Sequence, residues 1–316
     1  MKLIEKKYSH LCITGLFDVQ NKPFLYQIQR NNALNYGDIT SGRITHKNAT
    51  LQGYFIETDQ KESVFAPSYD KFSIGEQVIV QITKEARLGK DATGIIIDEK
   101  PENPTTLSNI LFQLAKADTN PDHAQFVSAQ AIEEALETNI TFADGAKIRL
   151  ERTNVCWTFD VDSAQSTLPL MQLNEMACTI IANHIMLKNL SGLIVIDFAG
   201  YKEIEQEEKY ILTLHQYLYN DPRTKIFGFT KAKLCEIRRT RTTASLFDIF
   251  LTPEGKKNPT FLCMEIEDRL ENRFASTPEL HIHPSVLPHL SPKIKNQCII
   301  KTDGNLQEDE YMLKGE

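Results

Sequence analysis

Short alternations of apolar and polar residues fill the first hundred positions, and helical periodicities begin only beyond them. Apolar stretches at Leu11–Phe17 and Phe24–Ile28, joined by a polar turn at Asn21-Lys22-Pro23, predict two strands. From Tyr36 to about Asp98 the segments Gly42–Thr45, Gly53–Glu57, Ser63–Pro67, Gln77–Ile82 and Thr93–Ile97 repeat the pattern with turn residues between them. Closely spaced short strands without a long helix predict a small closed barrel of the OB type. Pro101-Glu102-Asn103-Pro104 marks a boundary, after which Leu107–Lys116 and Ala124–Glu137 read as helices.

From Lys147 to about Phe250 the pattern alternates between strand and helix. Strand Val155–Val161 leads to a helix over Leu173–Leu187, in which Leu173, Met176, Ala177, Ile180, Ile181, His184 and Leu187 share one face. Asn189-Leu190-Ser191-Gly192 stops that helix before strand Leu193–Ile196. A strand, a helix of this length and a strand make a βαβ crossover with parallel strands. A helix over 204–219 and a strand at Lys225–Phe229 repeat the unit, giving an α/β domain. Pro253, Pro259, Pro278, Pro284, Pro288 and Pro292, with the acidic Glu308-Asp309-Glu310, predict a loop-like, partly disordered C-terminal region.

Two of the apolar runs end on carboxylates: Cys156–Phe159 on Asp160, followed by Val161 and Asp162, and Leu193–Ile196 on Asp197. A strand period of two puts Asp160 and Asp162 on one face, and Asp197 closes the next strand of the crossover. Such carboxylates repel unless a cation lies between them, and hard oxygen donors suit Mg²⁺ or Mn²⁺. The competing reading is that strand-final aspartates begin turns or cap helices.

Charge sharpens this picture. The net charge is −7, so the run Lys231, Lys233, Arg238, Arg239 and Arg241 stands out as a phosphate-contacting surface, with a solvated helix face as the bland alternative. Phe55 and Phe65 lie on adjacent predicted strands with Lys84, Arg87 and Lys90 nearby in sequence. Aromatics among cations stack bases on OB-folds, although most phenylalanines of such a barrel are core. His281, His283 and His289 lack a further ligand at a familiar metal spacing. The six cysteines are scattered without a CxxC pair, the first residues are too charged for a secretory signal, and no apolar run is long enough to span a membrane. Reduced thiols and a cytoplasmic location are the expectation.

Together these residues resemble the ribonuclease E/G family. Thr158-Phe159-Asp160-Val161-Asp162-Ser163-Ala164-Gln165-Ser166-Thr167 looks like its I-D-[IV]-N-[ST]-[AG]-R-x-[ST] motif. Leu190-Ser191-Gly192-Leu193-Ile194-Val195-Ile196-Asp197-Phe198 is close to L-G-G-[LI]-I-[VI]-I-D-F. Residues 230–241, Ile132–Leu136, Gly145–Ile148 and the barrel segments fit in order, so the resemblance covers about residues 1 to 245.

It implies an S1-type OB-fold barrel (36–100) inserted in a small RNase H-like remnant (1–35 and 101–148), a DNase I-like α/β catalytic domain (149–250) and an irregular C-terminal region (251–316). It also implies a Mg²⁺-dependent endoribonuclease that cleaves single-stranded RNA in processing or decay, with no membrane partner. Asp160 and Asp197 match the family's metal ligands, and Phe55, Phe65 and Lys90 its RNA-contacting residues. Lys231, Arg239 and Arg241 join them as expected RNA contacts, and Asp162 joins the two aspartates as a catalytic candidate.

Three departures stand out. The family's asparagine is Asp162 and its arginine is Gln165. Most of the segment that recognises a 5′-monophosphate is missing. The CPxCxGxG zinc link is absent too, so neither zinc nor a zinc-joined dimer is expected, and the oligomeric state stays open. These departures sustain an alternative, an RNA-binding relative without cleavage.

Overall fold

The computed structural model describes residues 2–87, 90–99, 116–117, 125–200, 204–218, 221–271 and 276–315. The chain divides into two units, residues 1–132 with 242–316 and residues 133–241. The first unit opens on β1 (Lys2–Lys7), β2 (Leu11–Phe17) and β3 (Pro23–Arg30), an antiparallel meander turned at Asn21, whose φ is 61°. Next come β4 (Ile39–Asn48), β5 (Gly53–Thr58), β6 (Ser63–Pro67), β7 (Gln77–Lys84) and β8 (Ala92–Ile97), which close into a barrel in the order β4-β5-β6-β8-β7. Alternation sets its chemistry: Tyr54, Ile56, Val64 and Ala66 fill the interior, while Phe55 and Phe65 between them stay half-exposed.

A two-residue strand β9 (Lys116–Ala117) pairs in parallel with β1. The helix expected over Leu107–Lys116 lies outside the described residues except for Lys116, which opens β9. Helix α1 (Ala129–Leu136) is shorter than the expected 124–137 because residues 125–127 form a separate turn of 3-10 helix.

Among the described residues the second unit holds a six-stranded mixed sheet with helices over Leu170–Leu187 and Ile204–Leu218. Its elements are β10 (Asn139–Phe142), β11 (Ala146–Arg152), β12 (Cys156–Asp162), α2 (Leu170–Leu187), β13 (Gly192–Asp197), α3 (Ile204–Leu218), β14 (Thr224–Phe229) and β15 (Leu234–Arg239), with strand order β10-β11-β12-β13-β15-β14. β12 and β13 are parallel, as a crossover through α2 requires. The second crossover ends differently from the expected repeat. β15 turns back antiparallel from β14 and takes the place beside β13.

The buried face of α2 is also rotated from its expected stripe. Leu173, Ala177 and Ile181 are buried, but Asn174, Cys178 and Ile185 complete the face, and Met176 is 39% exposed. Helix α2 stops where Asn189 enters the left-handed region at φ 51°, the backbone of a helix C-terminal stop. Among the described residues no helix is long and apolar enough to cross a membrane.

The C-terminal stretch, expected to be irregular, is instead a folded part of the first unit. Helix α4 (Leu246–Phe250) precedes it in the same unit, and the stretch itself contains α5 (Pro259–Leu270), β16 (Glu279–Ile282), α6 (Pro292–Gln297), β17 (Ile299–Thr302) and β18 (Tyr311–Lys314), with the sheet ordered β17-β16-β18. The prolines start helices rather than prevent them. Pro259 and Pro292 occupy first-turn positions, where no N–H is needed. Asn258 accepts the Phe261 N–H at 3.1 Å and Ser291 the Ile294 N–H at 3.3 Å, capping those helices. Leu262, Ile266, Leu280, Ile282, Val286 and Ile294 form the local core. Asp268 ties this core to the N-terminal strands by accepting from Lys6 at 2.7 Å, the Tyr8 hydroxyl at 2.8 Å and the Ala129 N–H at 2.6 Å.

Candidate active site and nucleic-acid interface

The sheet of the second unit has one apolar and one polar face. Ile148, Leu150, Phe159, Val161, Ile194 and Ile196 are buried on one side, and α2 and α3 pack against strands of this sheet. The alternate positions Lys147, Arg149, Asp160, Asp162, Asp197 and Arg238 are exposed. Strand register brings the two expected aspartates together. Asp160 on β12 pairs directly with Asp197 on β13, on parallel strands that run side by side about 4.8 Å apart. Asp197 ends β13 and Asp160 lies two residues before the end of β12, and among the described residues neither carboxylate has a hydrogen-bond or ion-pair partner.

The Asp197 end is firmly anchored. Phe198, the next residue, is buried with its ring 5.0 Å from Tyr210 and 5.9 Å from Phe229. The fully buried Asn174 of α2 donates to the Ala199 carbonyl at 2.8 Å and to the Tyr210 hydroxyl at 3.2 Å. The stripe expected from the sequence, through Leu173, Ala177, Ile181 and His184, leaves Asn174 just beside the buried face that it in fact joins.

Asp162 behaves differently from the pair. Its Oδ1 accepts the Ala164 N–H at 2.8 Å in a turn where Ala164 has φ 45°. This is the turn-forming role weighed for a strand-final aspartate.

Two cations missed in the sequence stand across β11. Arg149 is in register with Asp160 and Lys147 with Asp162, and among the described residues no ion pair joins either couple. The alternation Lys147-Ile148-Arg149-Leu150 carried that signal, since its apolar members had to face the core.

The basic run splits between a turn, an exposed face and the interior. Lys231 and Lys233 lie exposed in the tight turn from β14 to β15, where Lys233 has φ 65°, and Arg241 is half-buried. Arg239, expected to contact RNA, is instead fully buried. Its Nε donates to Asp221 at 2.6 Å and its Nη1 to Asn189 at 2.8 Å and the Leu190 carbonyl at 2.7 Å, so these donors are already spent within the unit. Burial lowers its pKa to about 10, partly offset by Asp221, which leaves it charged at neutral pH. The period of two foretold this: Arg239 shares a face with the buried Cys235 and Ile237, and Arg238 the opposite one.

In the barrel, His46, Phe55, Phe65, Thr93 and Lys84 form one register row across five strands. The Phe55 and Phe65 rings lie 5.1 Å apart, and the His46 ring stacks on Phe55 at 4.4 Å with planes 12° apart. Gly53 leaves space for this surface, since a Cβ there would meet the Phe65 ring at 2.7 Å. Lys84, Arg87 and Lys90 are exposed, and Arg87 and Lys90 pair through their backbones at 3.0 and 2.8 Å. His46 went unnoticed because nothing in the chain marks which side of β4 the barrel turns outward.

His281 and His283 near the C-terminus are engaged separately. His281 lies 3.5 Å from Glu279, and His283 accepts the Ser285 N–H. Among the described residues no group of three or more His, Cys, Asp or Glu could hold a metal ion, so a cation at Asp160 and Asp197 would need water or substrate oxygens to complete its shell. Two adjacent unpartnered carboxylates with only oxygen donors fit that requirement for a hard divalent ion.

A family model described as the ribonuclease E/G family matches residues 69–242, a span that includes both aspartates but neither Phe55 nor Phe65. Ribonuclease G of Haemophilus influenzae is 29% identical over 123 residues, 37% of this chain and 25% of its own length. Ribonuclease E of a Nostoc species is 27% identical over 188 residues, 56% of this chain and 27% of its own. Ribonuclease E of a Synechocystis species is 27% identical over 169 residues, 51% of this chain and 25% of its own. The chain spans about a quarter of the length of these curated relatives.

Proposed function

The chain belongs to the ribonuclease E/G family, and from that premise we propose that it is a Mg²⁺-dependent endoribonuclease of single-stranded RNA. The observation that carries the proposal is the register pairing of Asp160 with Asp197 on an exposed sheet face. In this reading Asp160 and Asp197 hold one Mg²⁺, with Mn²⁺ as a substitute. When bound, the ion supplies Lewis-acid stabilisation of charge developing on the phosphodiester. Lys147, Arg149 and Arg238 are exposed cations of the same face that attract and orient the RNA backbone. Asp162 spends one carboxylate oxygen on the turn and keeps the other to accept a proton from the attacking water. Phe55, Phe65 and His46 offer stacking surfaces to unpaired bases, and Lys84 and Lys90 offer charge to their phosphates. The barrel is read as S1-type, β1–β3 as part of an RNase H-like remnant, and the second unit as DNase I-like.

One observation favours a second reading, an RNA-binding protein without cleavage. Arg149 and Lys147, in register with the acids, balance part of their charge without a metal. Labelled single-stranded RNA incubated with Mg²⁺, and separately with EDTA, separates the two. Products that form with Mg²⁺ and vanish with EDTA are expected, with Asp197→Asn slower by about a hundredfold or more. RNA bound in both conditions without any product would establish the second reading instead.

A further inference from the structure

Alternation along β11 buries Ala146, Ile148 and Leu150 and leaves Lys147 and Arg149 exposed on the acid-bearing face. Strand pairing then lays out two rows. Asn139 of β10, Arg149, Asp160 and Asp197 lie side by side on four neighbouring strands, and Thr141, Lys147 and Asp162 form the next row. Arg149 is therefore one strand spacing from Asp160 and two from Asp197, about 5 and 10 Å between backbones. Its buried neighbours on β11 fix the backbone, but the guanidinium is held by nothing. Among the described residues it makes no hydrogen bond or ion pair with Asn139, Asp160 or Glu151, the next exposed residue along β11. Opposite charges in register across an antiparallel ladder ordinarily pair.

The local charge explains what such a cation can do. Asp162 stands where the motif it resembles has a neutral asparagine, and Gln165 where it has an arginine, so each position is one charge more negative here. Lys147 and Arg149 set two positive charges against the acids from the neighbouring strand. The two are not equivalent. Lys147 faces Asp162, whose Oδ1 accepts the Ala164 N–H, whereas Arg149 shares its row with both Asp160 and Asp197. A guanidinium also presents a planar fork to two oxygens of one phosphate, which an ammonium cannot do.

We propose that Arg149 is a catalytic residue, whose guanidinium grips the non-bridging oxygens of the scissile phosphodiester as negative charge builds on them. The inference rests on the endoribonuclease reading and adds a role beyond attracting the strand. In the step, water adds to phosphorus while the bond to the leaving ribose oxygen breaks. One proton of that water passes to Asp162 and solvent returns one to the departing oxygen, so one water is consumed. Arg149 gives up no proton and forms no bond. Its hydrogen bonds strengthen as the phosphoryl oxygens gain charge, which lowers the barrier rather than tightening the ground state.

Cleavage of labelled single-stranded RNA in Mg²⁺, with binding followed by anisotropy in EDTA, tests this on the full chain. Arg149→Met should lower kcat about a hundredfold, while KM and RNA affinity change less than about fivefold. Arg149→Ala should regain about tenfold of its lost rate in millimolar guanidinium, and Asp197→Asn should regain none. Mn²⁺ titrated without RNA should bind Arg149→Met at least as tightly as the parent, since a like charge beside the acids is gone. Arg149 is exposed, so these variants keep the fold. With a parent that cleaves, three results would each overturn the role of Arg149 alone. They are a kcat loss in Arg149→Met below about tenfold, no guanidinium rescue of Arg149→Ala, and weaker Mn²⁺ binding by Arg149→Met. A parent that forms no product in Mg²⁺ removes the endoribonuclease reading itself, and the part of Arg149 with it.

Discussion

Arg239 and Asp221 bury opposite charges against one another, and the consequences show at the level of single side chains. Burial alone would raise the Asp221 carboxyl, but hydrogen bonds and charge from Arg223 and Arg239 outweigh it and hold the pKa at about 2. A carboxyl lowered in the folded state stabilises the fold fully above its unfolded value of about 3.9, and loses that contribution as pH falls through the folded value. The acid limb between about pH 4 and 2 should therefore flatten in Asp221→Asn relative to the parent. The same substitution leaves Arg239 buried and unpaired, and should cost about 3–5 kcal/mol in urea unfolding at neutral pH. An unchanged stability would mean that Asn189 and the Leu190 carbonyl suffice for the guanidinium. At this scale the sequence was legible wherever alternation was used consistently. The period that put Asp160 and Asp162 on one face also put Arg239 inside, yet clustering of cations was read there instead. Asn174 and His46 were not legible, because their roles depend on which neighbours tertiary packing supplies.

At the scale of elements, the β12–α2–β13 crossover was readable because its apolar runs, its helix length and the Asn189 stop agree with one another. The place of β15 between β13 and β14 was not, since strand order depends on pairing energies that local patterns do not encode. The barrel was readable from its strand spacing, and its outward Phe55 and Phe65 lie between interior residues on their strands. Removing those rings should therefore spare the barrel core while weakening RNA binding. Phe55→Ala and Phe65→Ala should each lose about 1–3 kcal/mol of affinity for single-stranded RNA, measured by fluorescence anisotropy at fixed salt. Full affinity in both variants would show that the row of rings is a packing feature rather than a stacking platform.

For the molecule as a whole, the C-terminal stretch departs furthest from expectation, and the reason is general. Prolines counted as breakers are neutral or favourable at a helix start when an Asn or Ser precedes them, as Asn258 and Ser291 do. The stretch matters because Asp268 gathers Lys6, Tyr8 and the Ala129 N–H from distant parts of the first unit. Asp268→Ala should lower stability by about 3 kcal/mol in urea unfolding, and a loss of only a few tenths would reduce this contact to incidental surface pairing. The barrel belongs to one unit and the acid pair to the other, so each part of the proposed activity can be weakened separately. The claim on which the activity depends is that Asp160 and Asp197 share a divalent ion. Crystals soaked in Mn²⁺ and measured at its absorption edge test that directly. The account predicts one anomalous peak within about 2.3 Å of an oxygen from each carboxylate, lost in Asp197→Asn. A map with no ion between them, from crystals of a protein that still cleaves RNA, would contradict it.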